Sequence, residues 1–258
     1  MKQEYSRIAV FLILWISFLY SCVGGKGDAW RFMSYNVHNF VGMDDVRDYQ
    51  RIADIINDVA PDAVAVQEID SATLRSGGVY TLQELADRTG MYATYAPAID
   101  FQGGKYGVGI LSKEKPLSVR VKHLPGREER RVLLIAEFEE YVFACTHFSL
   151  TEEDRLTSAA MVCEEVKGTE KPLFLAGDMN STPGSSAQAL LGECFNALSD
   201  PEVNTIPVER PEECIDYIYG YRNGHAYTVL HREVIDERMA SDHLPLFVDV
   251  CTADGHRR

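Results

Sequence analysis

The sequence predicts an α/β fold in which β-sheets pack face to face and helices cover their outer surfaces. Strand-like and helical runs alternate along the chain, and no linker, repeat or low-complexity tract interrupts them. The 258 residues, 46% of them hydrophobic, suffice for one sizeable core. One domain is therefore expected over residues 29–254, preceded by a segment of different character.

The elements follow in order. "AWRFMSYNV" (29–37) reads as a strand. Residues 44–60 place Ile52, Ile55, Ile56 and Val59 at helical spacing, with Asp44 or Asp45 as the cap and Pro61 as the stop. "DAVAVQEI" (62–69) is a short buried strand, 80–88 a second helix, and 107–111, 117–122, 132–138 and 141–146 are strands. Thr151 opens a third helix as a capping box with Asp154, and Leu156, Ala160, Cys163 and Val166 or Lys167 form its apolar face. "PLFLAGD" (172–178), "CIDYIYG" (214–220), a run near 225–231 and "LPLFVDV" (244–250) complete the strands. Segments 75–79, 101–105 and 196–213 fit no element and are expected to be loops that shape a pocket.

The N-terminus reads as a targeting signal. Lys2 and Arg7 precede the apolar run Ile8 to Tyr20, which is short for a bilayer span and suits a secretory signal. "LYSC" (19–22) resembles a bacterial lipobox, although Tyr20 departs from the small residue usual there. The expectation is a signal at 1–21, a lipidated Cys22 as first mature residue, and a tether over 22–28. That places the protein in a bacterial cell envelope, lipid-anchored through Cys22 or secreted. Cys145, Cys163, Cys194, Cys214 and Cys251 remain, an odd number with two inside apolar runs, so no disulfide framework is expected. No CxxC supports a structural zinc. The net charge of −14 speaks against a protein that tracks polyanions, and the basic stretch 113–131 reads as solvated hairpin charges.

Polar residues recur where strands end. Asn36 is in phase with Phe32, Glu68 with Val64 and Val66, His147 with Phe143 and Cys145, and Asp178 and Asn180 with Phe174 and Ala176. Asp216 is in phase with Cys214 and Ile218, and Asp242 and His243 directly precede a strand. A lone His or Asn at such a place satisfies a backbone group more often than it does chemistry. Glu68 is different, because a buried carboxylate without a partner costs several kcal/mol and no basic residue stands near it in the sequence. An oxygen-rich set with no cysteine selects a hard cation, Mg²⁺ or Mn²⁺. Zinc would compete through His147 and His243, but the local spacing of zinc motifs is missing.

These motifs, in this order, resemble the endonuclease/exonuclease/phosphatase (DNase I-like) superfamily. "SYNVHNF" is similar to its first motif, "VAVQEI" to its metal-ligand motif, "YGVGILSK" to the glycine-rich strand that follows, and "THFSL" to its histidine motif. "LAGDMNSTP" is similar to its GDxN signature, "CIDYIY" to its aspartate strand, and "SDHLPL" to its terminal pair. The resemblance implies a four-layer α/β/β/α sandwich of two mixed, mostly antiparallel sheets flanked by helices. It implies that Glu68 binds the divalent metal, that Asn36 supports the site, and that Asp242 is an outer or second-metal ligand. Asp178 would orient or deprotonate the attacking water, Asn180 and His147 would hold phosphate oxygens, and His243, oriented by Asp216, would contact the scissile phosphate. His38 stands two residues after Asn36, where some relatives carry an acidic residue, which speaks against a second metal contact there.

The function implied is a Mg²⁺- or Mn²⁺-dependent phosphoesterase, with a phosphodiesterase preferred over a monoesterase, acting on a small-molecule phosphate or lipid head group, as a monomer. A DNase I-like nuclease is the alternative, with nucleic acid as substrate. A non-catalytic lipoprotein that binds a phosphorylated ligand is the other class.

Overall fold

Two pairs of neighbouring strands in this protein run parallel, and each such pair needs a crossover connection, here a helix. The computed structural model describes residues 29–253, so the expected signal, Cys22 and tether lie outside the described residues. Strand β1 (Trp30–Asn36) is linked through α1 (Tyr49–Val59) to β2 (Ala63–Ser71), its parallel neighbour. Helix α2 (Thr81–Thr89) leads into the hairpin β3 (Tyr92–Phe101) and β4 (Gly104–Ser112). Strands β5 (Ser118–Leu124), β6 (Arg131–Glu137) and β7 (Val142–His147) begin a second sheet, which α3 (Glu152–Glu165) joins to β8 (Leu173–Asp178), parallel to β7. After α4 (Ser186–Cys194) come β9 (Phe195–Ala197) and β10 (Asp216–Tyr221), and β11 (Tyr227–Val234) and β12 (Leu246–Thr252) return to the first sheet.

The sheets have six strands each, in the orders β11-β12-β1-β2-β4-β3 and β5-β6-β7-β8-β10-β9. Their facing sides share a core in which Phe32 stacks on Phe143 and packs at a tilt on Phe174, with Ala65, Ile110, Leu134, Ala176 and Ile218 around them. On the outer side of the first sheet, Ile52, Ile56, Leu82 and Leu85 of α1 and α2 bury against Val64, Val66 and Leu111. On the outer side of the second, Ala159, Val162 and Leu191 of α3 and α4 bury against Ile135, Ala144 and Leu175. The four layers are those expected.

Local details differ from the sequence reading. The cap of α1 is Asp48, which accepts from the backbone N–H of Gln50 at 2.8 Å and Arg51 at 3.2 Å. Asp44 instead pairs with Arg51, and Asp45 sits in a turn at φ 59°. Thr151 makes no side-chain cap on α3: its hydroxyl donates to Glu128 at 3.4 Å, and Asp154 accepts from the Arg127 N–H at 2.8 Å instead of closing a capping box. The buried face of α3 is Ser158, Ala159, Val162 and Cys163, while Leu156 and Ala160 face solvent. Apolar residues lie all round this helix, so periodicity does not single out one face. Residues 101 and 104–105 are strand residues, so only Gln102 and Gly103 turn.

A disulfide joins Cys163 at the end of α3 to Cys194 at the end of α4, with Cα atoms 5.9 Å apart. It corrects the cysteine reading in part: there is no framework, but there is one staple. Cys145 and Cys214 are buried thiols. The bridge spans 31 residues, and restricting a loop of that length in the unfolded chain corresponds to about 3–4 kcal/mol. The double variant Cys163→Ser/Cys194→Ser should lose stability of that order in urea unfolding; unchanged stability would mean that the bridge contributes nothing.

Candidate active site

In the second sheet, register alone builds half of the site. Asp178 ends β8, with His147 of β7 as its cross-strand partner on one side and Asp216 of β10 on the other. Two residues earlier the same register holds Cys145, Ala176 and Ile218, all in the central core. His147, Asp178 and Asp216 are therefore polar ends of buried rows, each under about a tenth exposed. The phase with Cys214 does not hold, because β10 begins only at Asp216 and Cys214 packs on the helix side. Gly177 lets the strands close up here: a Cβ would stand 2.0 Å from the Thr146 carbonyl oxygen.

The first sheet supplies the rest. Asn36 ends β1 on the inner face, and its Nδ2 lies 3.1 Å from Asp178 Oδ2, 3.2 Å from Glu68 Oε1 and 3.5 Å from His243 Nε2. It thereby ties the two sheets together at the site. Glu68 arrives by another route than phase implies. Val64 and Val66 face the helices, so a regular strand would carry Glu68 to the same side. A β-bulge between Val66 and Ile69, with Glu68 at φ 62°, redirects it toward Asn36.

His243 precedes β12 and is held by Asp216, Nδ1 to Oδ2 at 2.9 Å, with Nε2 3.8 Å from Asp178 Oδ2. His147 Nε2 is 3.4 Å from the same Asp178 oxygen. Asn180 leaves the strand at φ 47°; its N–H donates to Asp178 Oδ1 at 2.8 Å and its Nδ2 to the Phe148 carbonyl at 2.9 Å. The second N–H of that amide is available to a ligand. Asp242 is half-buried, 3.9 Å from His38 Nδ1, and close enough for its charge to act on Glu68. All eight sequence-predicted residues thus gather at one end of the sandwich.

Three residues escaped the sequence reading. Thr205 donates its hydroxyl to Asp216 Oδ2 at 2.6 Å from within the unpatterned 196–213 segment. Ser241 donates to the Asn36 carbonyl at 2.7 Å and accepts from the His243 N–H at 3.3 Å. Asn39 donates to Glu68 Oε2 at 3.4 Å. Ser241 and Asn39 lie inside quoted motifs, which gave a signal; Thr205 gave none.

Burial dominates the electrostatics. It raises Asp178 to about 7, aided by the charge of Asp216 and opposed by His243. For His243 burial works against the proton, but the charge and hydrogen bond of Asp216, then Asp178 and Asp242, outweigh it and bring the imidazole to about 10. Burial, with Arg131 and His243 nearby, drives His147 well below its ordinary value, so it is neutral. Burial also raises Glu68, against the Asn36 hydrogen bond.

Asp178, Asp216 and His243 bring three potential ligand atoms within 4.8 Å of one another. Those atoms are already committed to one another, to Asn36 and to Thr205. Glu68 fits a cation better: it accepts only two long amide hydrogen bonds, Asp242 adds a second carboxylate, and no described Lys or Arg pairs with it. A hard cation matches these oxygen donors.

A two-sheet sandwich ending in carboxylates, amides and a charged histidine defines a class of site that places donors and positive charge where negative charge can develop. The chain belongs to the Endonuclease/Exonuclease/phosphatase family, whose sequence profile matches residues 33–243. Members of this family are hydrolases acting on phosphoesters. Among solved structures, the family protein from Bacteroides vulgatus is 19% identical and superposes with a TM-score of 0.72, covering 87% of this chain and 99% of that one. The Bacteroides thetaiotaomicron mannosyl-6-phosphatase is 18% identical, with a TM-score of 0.71 over 86% of this chain and 99% of that one. The human Nocturnin catalytic domain is 20% identical, with a TM-score of 0.68 over 88% and 94%. No curated protein matches the chain.

Two outcomes follow from the geometry. Gly177→Ala should destabilise the fold and shift Asp178, visible as a lowered Tm with weakened activity; a wild-type Tm would show that the strands yield freely. In metal-depleted protein, raising the His243 pKa from 6.5 to about 10 gives stability that is full below about pH 6.5 and lost toward about pH 10. Asp178, raised from 3.8 to about 7, acts with the same sign over that lower window. Tm in EDTA should therefore fall with rising pH more steeply for wild type than for His243→Ala above about pH 6.5, and parallel profiles would contradict the assigned pair.

Proposed function

We propose that the protein is a Mg²⁺- or Mn²⁺-dependent phosphodiesterase that hydrolyses a small or lipid-linked phosphate ester in a bacterial cell envelope. The observation that carries this reading is Asn36, which joins Glu68 to the Asp178–His243–Asp216 set. Glu68, with Asp242 and Asn36 in support, would hold the cation, which when bound would supply positive charge to phosphate oxygens. Asp178, with its pKa near neutrality, accepts the proton of the water that attacks phosphorus. His243, kept protonated by Asp216, presents Nε2 to the phosphate and meets the charge that grows on it. Asn180, with one amide N–H still available, and neutral His147 hold phosphate oxygens in line with the attack.

The charge pattern favours a small substrate over duplex nucleic acid. The net charge is −14, and five of the seven Lys and Arg residues in the basic stretch are matched: Lys113 by Asp62, Arg120 and Lys122 by Glu165, Arg127 by Glu153, and Arg131 by Glu128 and Glu129. The signal-like N-terminus and the Cys163–Cys194 bridge support an oxidising compartment.

A panel of sugar phosphates, nucleotides, aryl diesters and phospholipids, assayed beside plasmid nicking with Mg²⁺, Mn²⁺ or EDTA, tests the reading. Cation-dependent turnover of a small or lipid phosphodiester is expected. Plasmid nicking as the fastest reaction would overturn the substrate class, and ligand binding without EDTA-sensitive turnover would overturn the enzyme. Asp178→Asn and His243→Ala should each reduce kcat at least about 100-fold in metal-replete protein, and near-normal kcat would remove the residue from its role.

A further inference from the structure

Directly after β1 the backbone does something that side-chain-bearing residues rarely do. His38, Asn39 and Phe40 are all left-handed, at φ 42°, 53° and 63°. Such a run persists only where the surroundings fix it. Three contacts do so: the His38 N–H donates to Asn36 Oδ1 at 3.1 Å, Arg47 Nε donates to the Asn39 carbonyl at 3.1 Å, and the Phe40 ring packs on Tyr49 at 4.8 Å. The result delivers the Asn39 carboxamide to Glu68, where Nδ2 donates to Oε2 at 3.4 Å while Asn36 donates to Oε1. Glu68 is thus flanked by two amides, one on each oxygen.

The other end of the Asn39 amide is not accounted for. The residue is only 8% exposed, yet its Oδ1 has no hydrogen-bond partner among the described residues. A buried carbonyl oxygen is normally paired. Because Oδ1 and Nδ2 share a carbon, this oxygen lies within the width of one amide of the hydrogen bond to Glu68. A neutral carboxamide oxygen next to a carboxylate is a donor pair that hard divalent cations accept.

We infer that Asn39 belongs to the cation site, its Nδ2 fixing Glu68 and its Oδ1 serving as a neutral oxygen ligand. This rests on the reading of Glu68 as the cation carboxylate, and the test separates the two. Mn²⁺ affinity of the full-length protein would be measured by calorimetry and by the EPR signal of free Mn²⁺, without substrate. Asn39→Gly keeps the left-handed backbone accessible, so its loss of affinity reports the side chain. It should bind Mn²⁺ at least about tenfold more weakly, with Glu68→Gln weaker still, whereas Asn39→Asp should bind at least as tightly as wild type. Wild-type affinity in Asn39→Gly with loss in Glu68→Gln would overturn the inference alone. Wild-type affinity in Glu68→Gln would overturn the cation site itself, and this inference with it. Should Asn39→Gly lack a cooperative unfolding transition, Asn39→Asp decides: weakened binding at a native Tm overturns the inference.

Discussion

Negative charge gathered between two sheets, on carboxylates that no described Lys or Arg pairs with, is the constraint on which this structure turns. Asp178 and Asp216 are each nearly inaccessible, and their hydrogen bonds come from amides, a hydroxyl and an imidazole. A carboxylate in such a place must share a proton, attract a cation, or recruit a charged histidine. The site does the first at Asp178, whose pKa rises to about 7, and the third at His243, whose pKa rises to about 10. Glu68, with two long amide hydrogen bonds, and Asp242, with one from the Ser241 hydroxyl at 3.4 Å, are more exposed, and the second would fall to them under the proposed function.

The sandwich exists to hold that arrangement. Neither sheet contains the site by itself: β7, β8 and β10 bring His147, Asp178 and Asp216, whereas β1, β2 and the turn before β12 bring Asn36, Glu68 and His243. The aromatic packing of Phe32 on Phe143 and Phe174 fixes the spacing of the sheets within the core below. Asn36 then reads that spacing directly, because one amide reaches carboxylates on both sheets. Packing and chemistry are coupled through a single side chain.

Most of this could be read from the sequence where strands stay regular. His147, Asp178 and Asp216 were legible because β7, β8 and β10 keep register to their ends, so alternation extends from core to site. Glu68 was legible as an anomaly but not in its direction, since alternation sends it toward the helices and only a bulge, which has no sequence signature here, returns it. Long-range partners were illegible for a different reason. The Cys163–Cys194 bridge depends on α3 and α4 lying side by side, and Thr205 meets Asp216 because an irregular segment folds back. The cap at Asp48 was missed because Asp44, Asp45 and Asp48 carry the same local signal, and only the path of the turn selects among them.

The two departures from regular backbone at the site, Glu68 and the run His38 to Phe40, have a common logic. A strand end presents side chains only to the two faces of its sheet, and the inner face is crowded by the opposing sheet. Placing a carboxylate and a second amide outside those two faces, with the carboxylate still in contact with Asn36, requires leaving the strand geometry. Left-handed residues do this within one or two positions. Asn36 itself needs no such device, since it is the last residue of a straight strand, and the irregular residues on either side are arranged about it. The regular strand therefore sets the position of the site, and the strained residues adapt its edge to a charge that a regular strand could not reach.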